Sequence, residues 1–566
     1  MSTVIDEAAL SEVERVKLES HGLRGTLAEE LESETTHLSE VGKTLIKFHG
    51  SYEQEDRDQR KERKRAGMEP AYSFMIRSKL PGGVLDAQQY LVHDDLADRY
   101  GNGTLRITTR QGFQFHGVLK GSLRGTIHDL NEALVTTLGA CGDVVRNVVS
   151  CPAPVAGGFR REAYEMARRL SDETLPATRA YHELWVEGVK VAGGEPAPEP
   201  DPLYGERYLP RKFKVAFGYA DDNCTDVYAN DLGFVAIPAG DRVLGYNVVV
   251  GGGLGQTHGK EETFPRLADP LCFVEPDELI EVAKAVIAVQ RDYGNRANRR
   301  RARLKYLIHE QGVAWFREQV EAYLGRAVRD PYPIEVNDIH DHLGWHRQAD
   351  GRWFYGVWVQ NGRVHDTPTL QLRTALRRIV EGFRPGVHLT TQQNLLLTDI
   401  ADEHRDGVES ILAEHGVLPK EKLTNARRWS MACPALPTCG LAVAESERAL
   451  PGVIDEIEAE LESLGLADER ITIRMTGCPN GCARPYTADI AFVGRSLGKY
   501  LLYVGGNSQG TRLATPYQDL VPAANVVEVL RPLFRRFRDE RQPGEAFGDF
   551  CSRVGVESLR AAEVAA

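Results

Sequence analysis

The chain of 566 residues has no apolar run approaching the roughly 20 residues that cross a bilayer, so no segment reads as a membrane span. Its opening, Met1-Ser-Thr-Val-Ile-Asp-Glu, carries neither the basic flank and apolar core of a signal peptide nor the Arg/Ser-rich, acid-poor texture of a transit peptide. A cytoplasmic location is expected. An excess of positive charge is also missing: 69 Lys and Arg against 81 Asp and Glu leave a net charge of -12, which argues against general nucleic-acid binding. An anionic substrate would be repelled unless cations were concentrated where it binds. Local charge wins such a contest, because salt screens interactions beyond about 8 Å while a cation at ~4 Å is worth roughly 4 kcal/mol at an effective dielectric of ~20. A dinucleotide fingerprint is absent too. Gly245-Tyr-Asn-Val-Val-Val-Gly-Gly-Gly-Leu-Gly255 comes near one, but the G-x-G-x-x-G register needs glycine where Gln256 or His258 stands. It reads as a close-packed turn after a strand, and no other segment supplies a nicotinamide or flavin site.

Cysteine is sparse and odd in number, nine in all, which excludes a disulfide framework. Cys141, Cys151, Cys224, Cys272 and Cys551 are read as buried small residues or idle thiols. The other four arrive as two pairs in Gly/Pro-rich loops, Cys433-Pro-Ala-Leu-Pro-Thr-Cys439 and Thr476-Gly-Cys478-Pro-Asn-Gly-Cys482. Zinc usually draws paired cysteines from a tighter knuckle than C-x5-C, so the spacing fits zinc poorly and an iron–sulfur cluster better. Pro434 and Pro479 each follow a cysteine, fixing φ and leaving the other loop amides free for sulfur. Between the pairs, apolar residues at helical spacing predict a helix over 451–465, and alternation predicts strands at 471–475, 489–494 and 500–505. The second pair then sits on a turn between strands. The first is expected just before a helix beginning near Gly440, whose N-terminus would favour a thiolate.

These two loops resemble the siroheme and [4Fe-4S] signature of the assimilatory sulfite and nitrite reductases, and the likeness extends over nearly the whole chain. The resemblance implies that Cys433, Cys439, Cys478 and Cys482 bind the cluster, that Cys482 also bridges to the siroheme iron, and that Asn480 in the same loop meets the cofactor. It implies an α+β, pseudo-two-fold duplicated fold with two ferredoxin-like half-domains and two larger mixed α/β siroheme/4Fe-4S domains. The expected boundaries are 1–70 for an N-terminal arm, 71–140 and 336–420 for the half-domains, 141–335 for the first siroheme-binding domain and 421–566 for the 4Fe-4S/siroheme domain.

Residues 105–116 alternate as one strand would, placing Arg106, Thr108, Arg110, Gly112, Gln114 and His116 on one face. That face is too polar for a core. Pattern alone leaves it facing solvent or a polar ligand; the resemblance implies that Arg106, Thr108, Arg110, Gln114 and His116 line the carboxylate-rich macrocycle and that Gly112 gives the ring room. Val387-His-Leu-Thr-Thr-Gln-Gln-Asn-Leu395 echoes Leu105-Arg-Ile-Thr-Thr-Arg-Gln-Gly-Phe113, and each copy precedes a Cys-Pro, at Cys151 and at Cys433. Duplication accounts for both.

A strand is predicted at 72–77 and a turn at 80–83. Lys212 and Lys214 flank Phe213 and would project to one side of an extended segment. With Arg77 and Arg146, they match by resemblance the basic residues that hold sulfite. Residues 1–70 mix charges at helical spacing, as a solvated face or a partner-docking arm would. In that stretch, Leu23-Arg-Gly-Thr and Lys47-Phe-His-Gly-Ser-Tyr resemble bacterial sulfite reductase hemoproteins. Residues 275–325 are expected to be helical, with the basic run 296–305 solvated or facing carboxylates, 330–340 a linker, and the chain ending in helix through Arg536 and a loose Ala-rich tail.

The activity implied is six-electron reduction of sulfite to sulfide in sulfate assimilation and cysteine biosynthesis, with electrons from a flavoprotein using NADPH. A ferredoxin donor is the alternative, since Cys433-Pro-Ala-Leu-Pro and Gly481-Cys-Ala-Arg-Pro-Tyr486 look like ferredoxin-dependent forms. Nitrite reduction is a nearer rival, and Lys214, where plant-type nitrite reductases have Asn, tilts toward sulfite. A reading from another class is a non-catalytic scaffold holding zinc and binding RNA through the Arg296 region.

Overall fold

The two echoing segments fold as hairpins, which corrects the expectation of a continuous strand over 105–116. In a computed structural model, which describes residues 10–155, 157–177, 183–186, 189–193 and 200–564, Leu105–Ile107 turns back through Thr108–Gly112 onto Phe113–Val118. The Thr108 amide donates to the Gly112 carbonyl at 3.0 Å, and Gln111 takes a positive φ of 53°, closing a turn that alternation alone could not reveal. The second copy repeats it: Thr390 donates to Asn394 at 2.9 Å, Gln393 has φ 67°, and Gly386–Leu389 pairs with Leu395–Ile400. Registers match as well, Leu105 opposite Phe115 and Ile107 opposite Phe113 in one, Val387 opposite Leu397 and Leu389 opposite Leu395 in the other. The duplication expected from sequence is therefore present at the level of hydrogen-bonded pairs.

Each hairpin is the centre of a five-stranded sheet, and each sheet takes one edge strand from the other half of the chain. Arg363–Val364 completes the first sheet beside Leu105–Ile107, and Val84–Leu85 completes the second beside Gly386–Leu389. The exchange ties the halves together. Ser51–Glu55 is the far edge of the first sheet, so the stretch to residue 70 is not a detached arm. Across the pseudo-axis, helices Ala87–Arg99 and Leu372–Phe383 meet through Arg373 and Arg377, which ion-pair with Asp94, Asp95 and Asp98.

Two larger domains carry mixed sheets of matching design. Val215–Tyr219 lies parallel to Leu232–Ala239, followed antiparallel by Arg242–Val250 and Asp269–Val274. Ser430–Ala432 and Ile473–Thr476 lie parallel beside Ile490–Ser496, followed antiparallel by Lys499–Val504 and Thr515–Pro522. Thr515–Pro522 was not expected from sequence; its outward positions are exposed, so it lacks the apolar signal of a central strand. The helix predicted over 451–465 is Leu450–Ser463, and it buries Val453, Ile454, Ile457 and Leu461 under the last sheet. No helix begins near Gly440. The backbone there laces the two cysteine loops together instead, Val443 and Ala444 both donating to the Gly477 carbonyl. The Ala-rich end is not loose either, since Phe547–Val554 and Val556–Val564 are helical. Met1–Glu7 lies outside the described residues.

The helical stretch expected at 275–325 contains Leu279–Tyr293, Leu304–Gln311 and Val313–Leu324. Its basic run faces carboxylates: Arg296 pairs with Glu14, Arg299 with Asp143 and Arg303 with Asp231. These pairs occupy the cations that an RNA surface would need. Among the described residues no helix is long and apolar enough to cross a membrane.

Candidate active site

The two cysteine loops meet where the larger domains and the hairpins converge. Cys433 leaves the end of Ser430–Ala432, and Cys478 leaves the end of the neighbouring Ile473–Thr476, so parallel pairing sets the two loops side by side. The Gly477 amide points at Cys433 Sγ at 3.4 Å, and Asn480 Nδ2 at Cys478 Sγ at 3.4 Å. A Cβ at Gly477 would stand 2.6 Å from the Ala444 carbonyl and from Ala435 Cβ, so only glycine lets the loops close this tightly.

Burial, then repulsion from Cys482, raises the thiol pKa of Cys433 and of Cys439, and pushes Cys478 up to about 12. To ionise together, these three need a positively charged centre between them. Among the described residues, the one set of His, Cys and carboxylate ligand atoms lying within 4.8 Å of one another is elsewhere, at Cys151. The cysteine loops are thus not gathered around a single ion, whose ligand sulfurs at ~2.3 Å would stand only about 3.8 Å apart. A multi-iron cluster, which needs a wider set of thiolates, fits them. Cys433 and Cys478 are buried, Cys439 is half-buried and Cys482 is exposed.

Both hairpins grip this centre. Arg106 donates to the Ala432 carbonyl at 2.7 Å and Gln393, from the second hairpin, to the same carbonyl at 2.9 Å, one residue before Cys433. Thr109 donates to the Cys482 carbonyl at 2.9 Å. Glu447, whose amide binds the Cys433 carbonyl, pairs with Arg106 Nε at 3.0 Å and Arg363 Nε at 2.6 Å. Burial would raise the Glu447 pKa, but Arg363 and Arg106 outweigh it and hold the carboxyl at about 2. Burial draws Arg106 below the usual guanidinium range even beside this carboxylate; an arginine has far to fall before it loses its charge, so the pair is an ion pair. Arg110 is likewise engaged, with Asn230 Oδ1 at 2.8 Å and the carbonyls of Val215 and Asn147. Burial, then Arg146, lowers it to about 9.

The resemblance implied that Arg106 and Arg110 line the macrocycle; in the structure both guanidinium groups also hold backbone and side chains of the walls in place. Gly112 meets a further demand. A Cβ there would sit 2.7 Å from the Ser78 carbonyl, so the glycine makes room for the neighbouring strand.

Other residues on that face have unmet needs. His116 is buried with neither ring nitrogen partnered, and Gln114 Oε1, Arg77 Nε and Arg110 Nε are buried without acceptors or donors. Burial, then Arg363, pushes His116 well below the usual imidazole range, so it is neutral. Thr108 is buried beside them, its hydroxyl bound by the amides of Arg110 and Gly112 at 3.2 Å. Orphaned buried polar atoms are costly, about 1–3 kcal/mol each, and a bound polar group meets that cost. These residues fit a carboxylate-bearing cofactor.

The cations gather next to them. Arg77 donates to Cys141 Sγ at 3.2 Å, and Arg146 to the Gly142 carbonyl at 2.7 Å. Lys212 and Lys214 keep part of their area open yet behave as deeply buried charges, the signature of side chains lining a cleft. Burial, then Arg211 and Lys214, lowers Lys212 well below the usual lysine range. Burial, then Arg110 and Arg303, brings Lys214 to about 7, while Cys482 pulls the other way. Asp231 does not neutralise Lys214, because it takes two hydrogen bonds from Arg303 at 2.9 and 2.7 Å and one from the Lys214 amide at 2.8 Å. Arg77, Arg146, Lys212 and Lys214 share neighbours and are not scattered: Arg146 acts on Lys212 and Arg110, and Arg77 on Arg110 and His116.

Sequence reasoning missed Glu447, Arg363, Gln393, Arg303 and Lys305. Lys305 is fully buried, donating to the carbonyls of Gly253 and Gly255, and the Gly255 turn presses on Asn480, where a Cβ at Gly255 would lie 3.1 Å from the carbonyl. The Thr-Thr-x-Gln echo was a usable signal for Gln393. Nothing local marked the others, whose side-chain hydrogen bonds span 41 residues of sequence or more.

Known proteins match this arrangement. The nitrite and sulphite reductase 4Fe-4S domain matches residues 165–328 and 424–563, and the nitrite/sulfite reductase ferredoxin-like half domain matches 67–133 and 346–415. A protein of Synechococcus elongatus named sulfite reductase [ferredoxin] is 47% identical, over 99% of this chain and 92% of its own. One of Chromohalobacter salexigens named sulfite reductase [NADPH] hemoprotein beta-component is also 47% identical, over 96% of this chain and 95% of its own. The solved structure of the Mycobacterium tuberculosis NirA protein superposes with a TM-score of 0.77 at 25% identity, covering 97% of this chain and 98% of that one.

Proposed function

Because the chain belongs to the nitrite and sulphite reductase 4Fe-4S domain family, we propose that it reduces sulfite to sulfide by six electrons, as a hemoprotein supplied by a separate flavoprotein that uses NADPH. The observation that carries this reading is the exposed Cys482, last of a four-cysteine set, lying close enough to the cationic cleft to act on Lys214.

When bound, a [4Fe-4S] cluster and a siroheme supply one-electron transfer and an iron that takes the substrate through sulfur. Cys433, Cys439, Cys478 and Cys482 would hold the cluster, with Cys482 shared toward the siroheme. Thr108, Gln114, His116 and Asn480 would meet the siroheme, and Arg106 and Arg110 would position the walls. Arg77 and Arg146 bind the dianion, offsetting the chain's negative charge where it matters. Each S–O bond broken consumes two electrons and two protons and releases water, so three oxygens require six of each. Lys214, held at about 7, gives and regains a proton at neutral pH, and Lys212, lowered well below the usual lysine range, stands beside it; arginine is too weak an acid for that.

A ferredoxin donor is the second reading, favoured by one feature. The helix Arg60–Arg65 has no buried residue and is basic, and Arg57 just before it donates to the carbonyls of Cys439 and Ala442, so an acidic one-electron carrier docking there would sit beside the cluster loop. The test is sulfide release by the purified protein with reduced ferredoxin against NADPH plus the flavoprotein, after an absorption spectrum with iron and acid-labile sulfide quantified. A colourless protein with zinc and no iron would end the proposal.

A further inference from the structure

The larger domains are copies of one another, and their hydrogen-bond registers map one cysteine site onto another. Phe234 in Asp231-Leu-Gly-Phe-Val matches Phe492 in Asp489-Ile-Ala-Phe-Val, and their parallel partners are Phe217 and Met475. Counting onward, Cys224 takes the place of Cys482. The backbone agrees: two residues later, Asp226 and Arg484 both have positive φ, 52° and 54°, and both precede short 3-10 turns, Val227–Ala229 and Pro485–Thr487. In the same register Val149 bridges Ala216 in parallel, as Met431 pairs with Arg474, so Cys151 takes the place of Cys433. The first domain therefore keeps two of the four cysteine positions. Where Cys478 stands in one copy, Ala220 stands in the other; where Asn480 stands, Asp222 stands.

Those two cysteines are not idle. Cys151 Sγ lies 3.2 Å from Asp222 Oδ2 and 3.3 Å from His342 Nε2, and His342 Nε2 lies 3.0 Å from Asp222 Oδ2. One ligand atom from each of Cys151, Asp222, Cys224 and His342 falls within 4.8 Å of the other three, and all four residues are at least nine-tenths buried.

We propose that Cys151, Asp222, Cys224 and His342 bind one zinc ion. Bonds of ~2.0–2.3 Å to a tetrahedral ion set ligand atoms about 3.3–3.8 Å apart, a few tenths of an ångström wider than the contacts seen. Two sulfurs with an imidazole and a carboxylate suit zinc rather than the oxygen-seeking magnesium or calcium. Asp222 is oriented for the task, its Oδ1 held by the amides of Cys224 and His340, both at 3.2 Å, leaving Oδ2 for the ion. Two thiolates and a carboxylate leave one excess negative charge on the site, which Arg160, 3.2 Å from Asp222 Oδ2, offsets. The two thiol protons pass to solvent as the ion binds. Four protein ligands leave no open position, so the site is structural: it joins the loop before helix Gly158–Glu173, the turn after Val215–Tyr219 and the entrance to the second half-domain in one knot. After duplication, one copy was built for a wide multi-iron cluster and the other for a single ion.

The test is metal analysis of the full chain purified anaerobically with its iron centres and then exposed to Zn2+ and desalted. About one zinc per chain is expected beside the iron, with a zinc-edge X-ray absorption signal of mixed sulfur at ~2.3 Å and nitrogen or oxygen at ~2.0 Å. A zinc atom misplaced in the cluster loops would show sulfur alone and would overturn the assignment. In the Cys224→Ser, His342→Ala double variant, zinc should fall at least tenfold while iron and acid-labile sulfide per chain hold. Should that variant not fold, the wild-type stoichiometry and spectrum still decide. Wild-type protein with no bound zinc, a Cys151–Cys224 disulfide found by non-reducing peptide mapping, or zinc retained by the double variant would each defeat the proposal.

Discussion

Replacing Glu447 by Gln should loosen the cysteine loop more than any single exposed substitution. The side chain is 14% exposed and bridges Arg106 and Arg363, and its own amide holds the Cys433 carbonyl. Its pKa of about 2, against 4.5 for a free glutamate, is lower by about 2.5, and at ~1.4 kcal/mol per unit the two guanidinium groups, net of burial, contribute about 3.5 kcal/mol at neutral pH. That agrees with the ~3–5 kcal/mol expected when one partner of a buried ion pair is removed. The pKa is depressed on folding, so the stabilisation is complete above about 4.5 and disappears as pH falls toward 2. The assay is urea unfolding of the apoprotein at pH 7 and pH 4, followed by fluorescence and far-UV circular dichroism. With a slope of roughly 3 kcal/mol/M for a domain this size, the transition that includes the cysteine loops should move down by about 1 M at pH 7, and by less at pH 4. A shift below about 0.3 M at pH 7, or one equally large at both pH values, would show that Glu447 is not the electrostatic anchor described.

Lys214→Ala should reduce turnover by about 10²–10⁴ while siroheme and iron content hold; a collapse of heme content with turnover per heme retained would make the residue structural. Lys214 is lowered to about 7, so sulfite binding by its ammonium should weaken as pH rises through that value, and Lys214→Met should flatten this limb of the kcat/KM profile. Sulfite should exceed nitrite in kcat/KM; the opposite order would move the chain to the nitrite reductases. Gly112→Ala, with a Cβ 2.7 Å from the Ser78 carbonyl, should cost about 1–3 kcal/mol in thermal or urea stability even without cofactor, whereas an effect confined to heme loading would return Gly112 to the role first expected of it.

Much of the site was legible because its chemistry is carried by residue type and short spacing. Four cysteines in two Gly/Pro-rich loops declare a metal centre wherever the loops lie, and the Thr-Thr-x-Gln echo announced a duplication that the hairpin registers then reproduced. Alternation failed at 108–112, since a turn closed by Thr108 and a left-handed Gln111 has the same polar and apolar order as a strand. The helix expected near Gly440 failed for a related reason: its amides bond across to Gly477, a partner more than 30 residues away, and local propensity is blind to that competition.

By itself, then, the order of residues determined which ligands this protein can offer, where its chain was copied, and that any anion must be met by local cations. Only the tertiary structure decided which cations stay uncommitted. Arg106, Arg110 and Arg303 are taken up by Ala432, Val215 and Asp231, while Lys214 is left with a proton it can exchange at about pH 7. The reason is geometric: a side chain's partners are fixed by which groups pass within about 3 Å of it, and here those groups lie 72 to 326 residues away along the chain.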